Sequence, residues 1–374
     1  MNVLLVGMSN RNFLPDLQHN LRNQNITADL LDLLEGYFID SDGVKTNFGK
    51  KIISKNFLKK NLQLYFNFRK AFTLLSKNKE AYDICNIHFM DVRYFFFKRK
   101  LARLSPKLVI SIYGSDFYKY RKFSFLQKPF YQKAKRITFS NDTTLEAFDA
   151  FYQKQFHDKL HLGRFGITNI ELIAKHFESN RDVSASKAYF HFPEDKTIIT
   201  IGYHSNPITQ QIQIIHQILQ IKEELKKKIF LVFPMAYGGF TDNILKVESL
   251  MNDSGMPFSI IRNYLSSEEV IKLRTSSDIM IHLPVSDQLS ATMLEYMYTG
   301  NYVITGQWLP YDMLDKEDIF YKRIASFDEL PSEIENYFGD TQSIKEKLVR
   351  NEPILLNFSS WDVIIKKWLA AYNL

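Results

Sequence analysis

"DIMIHLPVSDQLSATMLEYMYTGNYVITG", residues 278–306, holds a strand, a loop, a helix and a second strand in one run. DIMIHLP is short and apolar, as a buried strand is. Pro284 to Ser290 read as a polar loop, and a helix is expected from Ser290 or Ala291 onward. Gly300 ends it, since glycine takes the left-handed backbone that commonly follows a last helical turn, and YVIT opens the next strand. Short apolar strands alternating with helices predict βαβ units and a parallel sheet.

The same alternation extends both ways. Upstream lie TIITIGY, ITQQIQIIHQILQIKEEL, KIFLVFPMAYGG, TDNILKVESLMND, FSIIRNYLS and SSEEVIKLRTS, read as strands and helices in turn. In the first half, NVLLVGM (2–8) is a strand, FLPDLQHNLRNQN a helix, and ITADLLDLL a strand or a helix. YDICNIHFMD is a strand reaching His88, and PKLVISIYGSD a strand ending in a Gly-Ser-Asp turn at 114–116. KRITFSND is a strand whose Ser140, Asn141 and Asp142 suit the cap of the next helix. The polar stretch 178–196 reads as a linker, and NFSSWDVIIKKWLAAY (357–372) as a terminal amphipathic helix with Trp361, Ile364, Ile365, Trp368 and Leu369 on one face. The expectation is an α/β protein of two Rossmann-like, doubly wound domains facing across a cleft, residues 1–177 and 178–356. Residues 357–374 would return to the first domain. Ligands of such sheets bind beyond the carboxyl ends of the strands, here the loops after 6, 88, 113, 201, 233 and 283.

Composition narrows the class. The 374 residues are 45% hydrophobic and 24% charged, as in a globular protein. The single cysteine, Cys85, builds no disulfide framework and no cysteine-based zinc site. MNVLLVGMSN lacks a basic leader, and no apolar run approaches the roughly 20 residues that cross a bilayer. A cytoplasmic protein, at most peripheral to the inner face of the cell membrane, is expected. Residues 50–136 hold 22 Lys and Arg against four acids, a net +18; the whole chain's +7 leaves −11 for the rest. Such asymmetry suggests two domains with different partners.

The opening stretch also carries chemistry. The first amides of its helix have no helical partner and bear partial positive charge, which suits a phosphate. Asp287 in the loop and Glu295 in the helix are carboxylates able to accept from vicinal hydroxyls of a ribose or hexose. Asp287, seven residues, Glu295, then YMYTGNYVIT resembles the Glu-x7-Glu signature of family-4 retaining glycosyltransferases of the GT-B fold. Asp stands for the first Glu, and the usual glycines between the acids are absent. The segment VISIYGSDFYK resembles the GSD segment of polysaccharide-making members, and NFSSWDVIIKKW their closing helix. LVFPMAYGG is similar to a segment of the N-acetylfucosaminyl lipid II transferases.

The resemblance implies that Glu295 binds the nucleotide's ribose, that Asp287 faces the donor sugar, and that the amides of Leu289 to Thr292, with Ser290, Ala291 and Thr292, hold the diphosphate. It implies retention at the anomeric carbon and no required metal or other cofactor. The family's basic pair is not evident after TIITIGY, where the loop reads HSNPITQQ; Arg164 and Arg262 are the candidates to take its place. His204, Ser205 and Asn206 stand where phosphate contacts belong or where a helix is capped. Tyr237 lies in PMAYGG, whose glycines permit close approach to a ligand. Asp116 is a candidate for orienting the acceptor or a turn residue, and His88 a donor to the sugar or its phosphate or a core histidine. Asp40-x-Asp42 fits an ordinary Asp-Gly turn better than a metal site.

Expected partners are a UDP-linked nucleotide-sugar donor, a lipid-linked saccharide or polysaccharide acceptor, and an anionic membrane surface, without nucleic acid. The rival readings are a basic nucleic-acid-binding protein with a nucleotide-binding domain, and a nucleotide-sugar epimerase on the same fold.

Overall fold

The computed structural model describes residues 1–8, 13–52, 56–76, 82–179 and 181–372. Asn180 of the expected linker and residues 373–374 of the expected terminal helix lie outside them. The chain divides into two compact units, Met1–Gly166 with Trp361–Leu374, and Ile167–Ser360.

The first unit is built on eight strands: β1 (Asn2–Gly7), β2 (Thr27–Asp32), β3 (Tyr37–Ile39), β4 (Lys45–Asn47), β5 (Ile84–His88), β6 (Lys107–Ile112), β7 (Arg136–Phe139) and β8 (Leu160–Leu162). They lie in the order β4-β3-β2-β1-β5-β6-β7-β8. Pairing is parallel from β2 through β8, and antiparallel where β3 and β4 form a hairpin on the edge. Asp40 closes that hairpin: its Oδ1 accepts from the amides of Asp42 (3.0 Å) and Val44 (2.8 Å). Successive strand residues face opposite sides of a sheet, so β1 feeds two cores. Val3 and Leu5 join Leu14, Leu17, Trp361, Ile364 and Trp368 on one side; Leu4 and Val6 join Phe68, Tyr94 and Phe148 on the other.

The second unit has six strands, β9 (Thr197–Ile201), β10 (Ile229–Pro234), β11 (Phe258–Ile261), β12 (Ile279–His282), β13 (Tyr302–Gly306) and β14 (Lys322–Ile324). All pair in parallel, in the order β11-β10-β9-β12-β13-β14. Numbered within the unit this is 3-2-1-4-5-6, the doubly wound dinucleotide-binding order. Its direction reverses between β9 and β12.

Four features differ from the sequence reading. Residues 178–196 are not a bare linker. Asp182 caps a helix, Val183–Tyr189, by accepting from Ala185 N at 2.8 Å. Tyr189 then bonds Glu269, and the buried Lys187 donates to Lys196 O, so the stretch belongs to the second unit. The boundary set at 177/178 falls inside the helix Thr168–Ser179; the units divide at 166/167. The terminal helix does not run from 357. Ser360 is extended, and it separates Asn351–Ser359, packed in the second unit, from Trp361–Tyr372, packed in the first. The helix expected across 208–225 is Gln211–Ile218 followed by a single turn at Glu223–Lys226. It starts late because Gln210 is left-handed (φ 58°), with its side chain donating to Leu283 O at 2.7 Å.

Candidate functional site

The loops after β9 and β12 meet at the reversal of the second sheet. Val285 N donates to Ile208 O at 2.9 Å, and Gln210 Nε2 to Leu283 O. A third loop joins them, as Trp308 Nε1 donates to Pro284 O at 2.9 Å. These bonds make a braced rim from three separate loops. Ser290 caps the helix Ala291–Tyr298, its hydroxyl accepting from Met293 N at 3.2 Å. Ala291 and Thr292 occupy the first turn, whose amides have no partner within the helix.

Asp287 stands on this rim in a network that the sequence did not reveal. Its Oδ2 accepts from the Tyr311 hydroxyl. That hydroxyl lies 3.0 Å from His282 Nε2, which is itself 3.5 Å from Asp287 Oδ2. A tyrosine that donates to the carboxylate accepts from the imidazole, so Nε2 carries the proton. His282 Nδ1 is buried without a hydrogen-bond partner. Burial works against ionisation of Asp287, but the His282 ring and the Tyr311 hydroxyl outweigh it and hold the carboxyl below its ordinary range. Burial, then the Asp287 charge, push the Tyr311 phenol far up, so it remains a donor. Tyr203 adds a ring 5.6 Å from that of His282. The available signal was a polar residue, His282, closing the apolar strand IMIH just before the loop.

The HSN segment divides into different tasks. Ser205 is a latch: its amide and hydroxyl both donate to Tyr237 O at 2.8 Å, and its hydroxyl accepts from Phe240 N. Gly238 (φ +108°) allows this approach, for a Cβ there would lie 2.8 Å from Ser205 Oγ. Asn206 accepts from Ile208 N at 3.0 Å as a cap. His204 Nδ1 accepts from Asn206 N at 3.2 Å, which leaves the proton on Nε2. Burial lowers the His204 pKa, favouring that neutral donor form. The Tyr237 ring lies 5.5 Å from the His204 ring.

Glu295 points elsewhere. It is 4% exposed. Its Oε1 accepts from Asn169 Nδ2 at 2.7 Å, and its Oε2 from Arg274 Nε at 3.1 Å and Nη2 at 3.0 Å. The ribose contact implied by the resemblance requires one of these bonds to be shared or opened. Arg262 pairs with Glu248 at 2.7 Å, beyond the edge strand β11.

Arg164, His88 and Asp116 belong to the first unit. The Arg164 carbonyl accepts from Trp368 Nε1 at 2.8 Å. Asp116 is fully buried and braces two loops, accepting from Met90 N (2.8 Å) and Tyr113 N (2.9 Å). Burial raises its pKa to about 6. Its carboxylate serves the backbone on both sides, as the turn-residue alternative expects. His88 ends β5, beside β1, where the order of the first sheet reverses. Its Nδ1 lies 2.6 Å from the Tyr113 hydroxyl, and its Nε2 is buried without a hydrogen-bond partner. Burial lowers its pKa to about 3, so the ring is neutral.

No protein-family model matches the sequence, and no curated protein does. Solved structures match over the full chain. A glycosyltransferase from Rickettsia africae ESF-5 aligns at TM-score 0.73 and 14% identity, covering 100% of this chain and 97% of the other. Sucrose-phosphate synthase from Thermosynechococcus elongatus aligns at 0.74 and 11%, covering 100% and 98%. The chain has the fold of the GT-B glycosyltransferases. HepE from Anabaena, in complex with UDP and glucose, aligns at 0.70 and 14%, covering 100% and 99%. At such identities the likeness speaks for the fold.

Proposed function

We propose that the chain is a glycosyltransferase that moves a sugar from a UDP-linked donor to a hydroxyl of a lipid-linked saccharide or growing polysaccharide, at an anionic membrane face. The observation that carries this reading is the network at the reversal of the second sheet. There a deprotonated Asp287, held by Tyr311 and His282, stands four residues before the start of a capped helix. UDP complexes of a structural neighbour support the choice of nucleotide.

In this reading the diphosphate lies against the amides of Ala291 and Thr292 and the Nε2–H of His204. As the glycosidic bond breaks, charge grows on the leaving phosphate, and preorganised donors stabilise it most at that moment. Asp287, held by Tyr311, His282 and the Gln288 amide, accepts from a hydroxyl of the donor sugar. Retention at the anomeric carbon and independence from metal follow from the family resemblance alone. His88 and Arg164 of the first unit are the candidates for the acceptor side, with Asp116 setting the loops after β5 and β6 that flank His88.

The test is thermal-shift titration with UDP, GDP, TDP and their sugars, because a ligand that binds only the folded state raises apparent stability. UDP and a UDP-sugar should stabilise the protein. Asp287→Asn should keep the response to UDP and lose the additional response to the sugar. No stabilisation by any nucleoside diphosphate would overturn the reading. Interconversion of donor sugars without an acceptor would assign the site to epimerisation.

A further inference from the structure

The helix Phe57–Leu75 of the first unit contains no acidic residue. Its inner face is core: Leu64, Phe68, Ala71 and Phe72 are buried, with Phe68 stacked on Phe97 at 4.1 Å. Its outer face is also apolar. Leu58 is 77% exposed, Leu62 58%, Phe66 49% and Tyr65 46%. These positions are spaced four, three and one residues apart and form a second stripe along one side of the helix. Exposed Lys59, Lys60, Arg69 and Lys70 flank it.

The neighbouring segment extends the same surface. Arg93 Nη1 donates to Asn61 Oδ1 at 3.1 Å, and the Tyr65 and Phe97 rings lie 5.6 Å apart. This brings Phe96, 77% exposed, and the exposed Lys98, Arg99 and Lys100 alongside the helix. An open groove of about 440 Å³, lined by Thr46 and Asn47 of the hairpin and by Phe66, Arg69 and Lys70, gives two of the cations room for a phosphate.

We propose that this face of the first unit docks on an anionic phospholipid bilayer, with Leu58, Leu62, Phe66 and Phe96 entering the headgroup boundary and the lysines and arginines facing lipid phosphates. Large contiguous apolar patches on a protein surface mark interaction sites. Interfacial helices combine an apolar face with a Lys/Arg-rich flank, and anionic leaflets attract such flanks. A nucleic acid would answer the charge but has no use for exposed Leu58 and Leu62. A second copy of the chain would bring like charge together, since residues 50–136 carry 22 basic and four acidic side chains. No helix among the described residues is long and apolar enough to cross a membrane, and docking needs none. The proposal deepens the acceptor half of the reading above. Vesicle binding and UDP binding are measured separately, so either can fail alone.

The test is co-sedimentation of the full chain with phosphatidylcholine vesicles, with and without phosphatidylglycerol. Binding should require the anionic lipid and weaken with salt. Leu62→Gln/Phe66→Gln and Lys59→Gln/Lys60→Gln should each lower vesicle affinity about tenfold or more. The replaced side chains are exposed, so circular dichroism and the UDP thermal shift should stay unchanged. Binding to duplex DNA in preference to vesicles would overturn the proposal. So would vesicle binding indifferent to Leu62→Gln/Phe66→Gln, or a dimer in solution that this variant dissociates.

Discussion

Glu295 and His88 show how burial decides what one side chain can be asked to do. Truncating one partner of a buried ion pair leaves the other charge stranded, at a cost of about 3–5 kcal/mol. Glu295→Ala strands Arg274, itself buried, so it should lower stability by that order in urea titration. Loss of UDP binding in that variant would therefore report unfolding. Glu295→Gln is the fair test of a ribose contact, and unchanged calorimetric affinity for UDP would leave Glu295 as a brace of its helix. His88 makes a pH prediction. Its folded pKa of about 3 lies below its ordinary 6.5. The unfolded chain therefore binds the proton first on acidification. The stabilisation is complete above pH 6.5 and is lost as pH falls toward 3, by up to ~1.4 kcal/mol per pH unit. Asp116, raised to about 6, works in the opposite sense between 3.8 and 6. The difference between wild type and His88→Gln isolates the histidine: the variant should show a flatter acid limb in urea midpoints. At this scale the sequence singled out Asp287 as a candidate, because spacing is visible there. It hid Tyr311, which is 24 residues away, and it hid the engagement of Glu295 by Asn169, 126 residues away.

Among elements, the helix Ala291–Tyr298 has the most to lose from a small change. Ser290→Ala removes the acceptor that satisfies Met293 N and should cost about 1 kcal/mol, read as a lower Tm. If the diphosphate sits against that first turn, the UDP-induced Tm shift should shrink as well. Loss of stability with an undiminished shift would put the phosphate elsewhere. The strands were legible because runs such as TIITI and IMIH are short and apolar, and the order within each sheet was not, since pairing is decided between distant segments. Helix limits failed where one residue mattered. Left-handed Gln210 delays one helix and extended Ser360 divides another. Neither residue type announces such a conformation. The helix at Val183–Tyr189 was missed because its surroundings are polar, and its stability comes from a cap and from partners such as Glu269.

For the whole molecule, the telling feature is that the first unit is assembled from two pieces of chain. Trp361, Ile364, Ile365, Trp368 and Tyr372 are buried there, and Asn86 Nδ2 donates to the Tyr372 hydroxyl at 2.8 Å. Gly166 lets the indole come close, since a Cβ would lie 2.5 Å from the Trp361 ring. Burial of such side chains contributes roughly 1.5–3 kcal/mol each. Together that is about 10 kcal/mol, comparable to a whole domain's margin of about 5–15 kcal/mol. A chain ending at Ser360 should lose the first unit's cooperative transition in calorimetry and keep the second's. The same geometry constrains synthesis. Residues 167–360 are translated between the two pieces, a delay of roughly 10–40 s at about 5–20 residues per second. Throughout that interval the nascent amino-terminal part presents an uncovered greasy face to the cell. The face is covered only once residues 361–372 have been made, so a product that lacks them would keep it exposed.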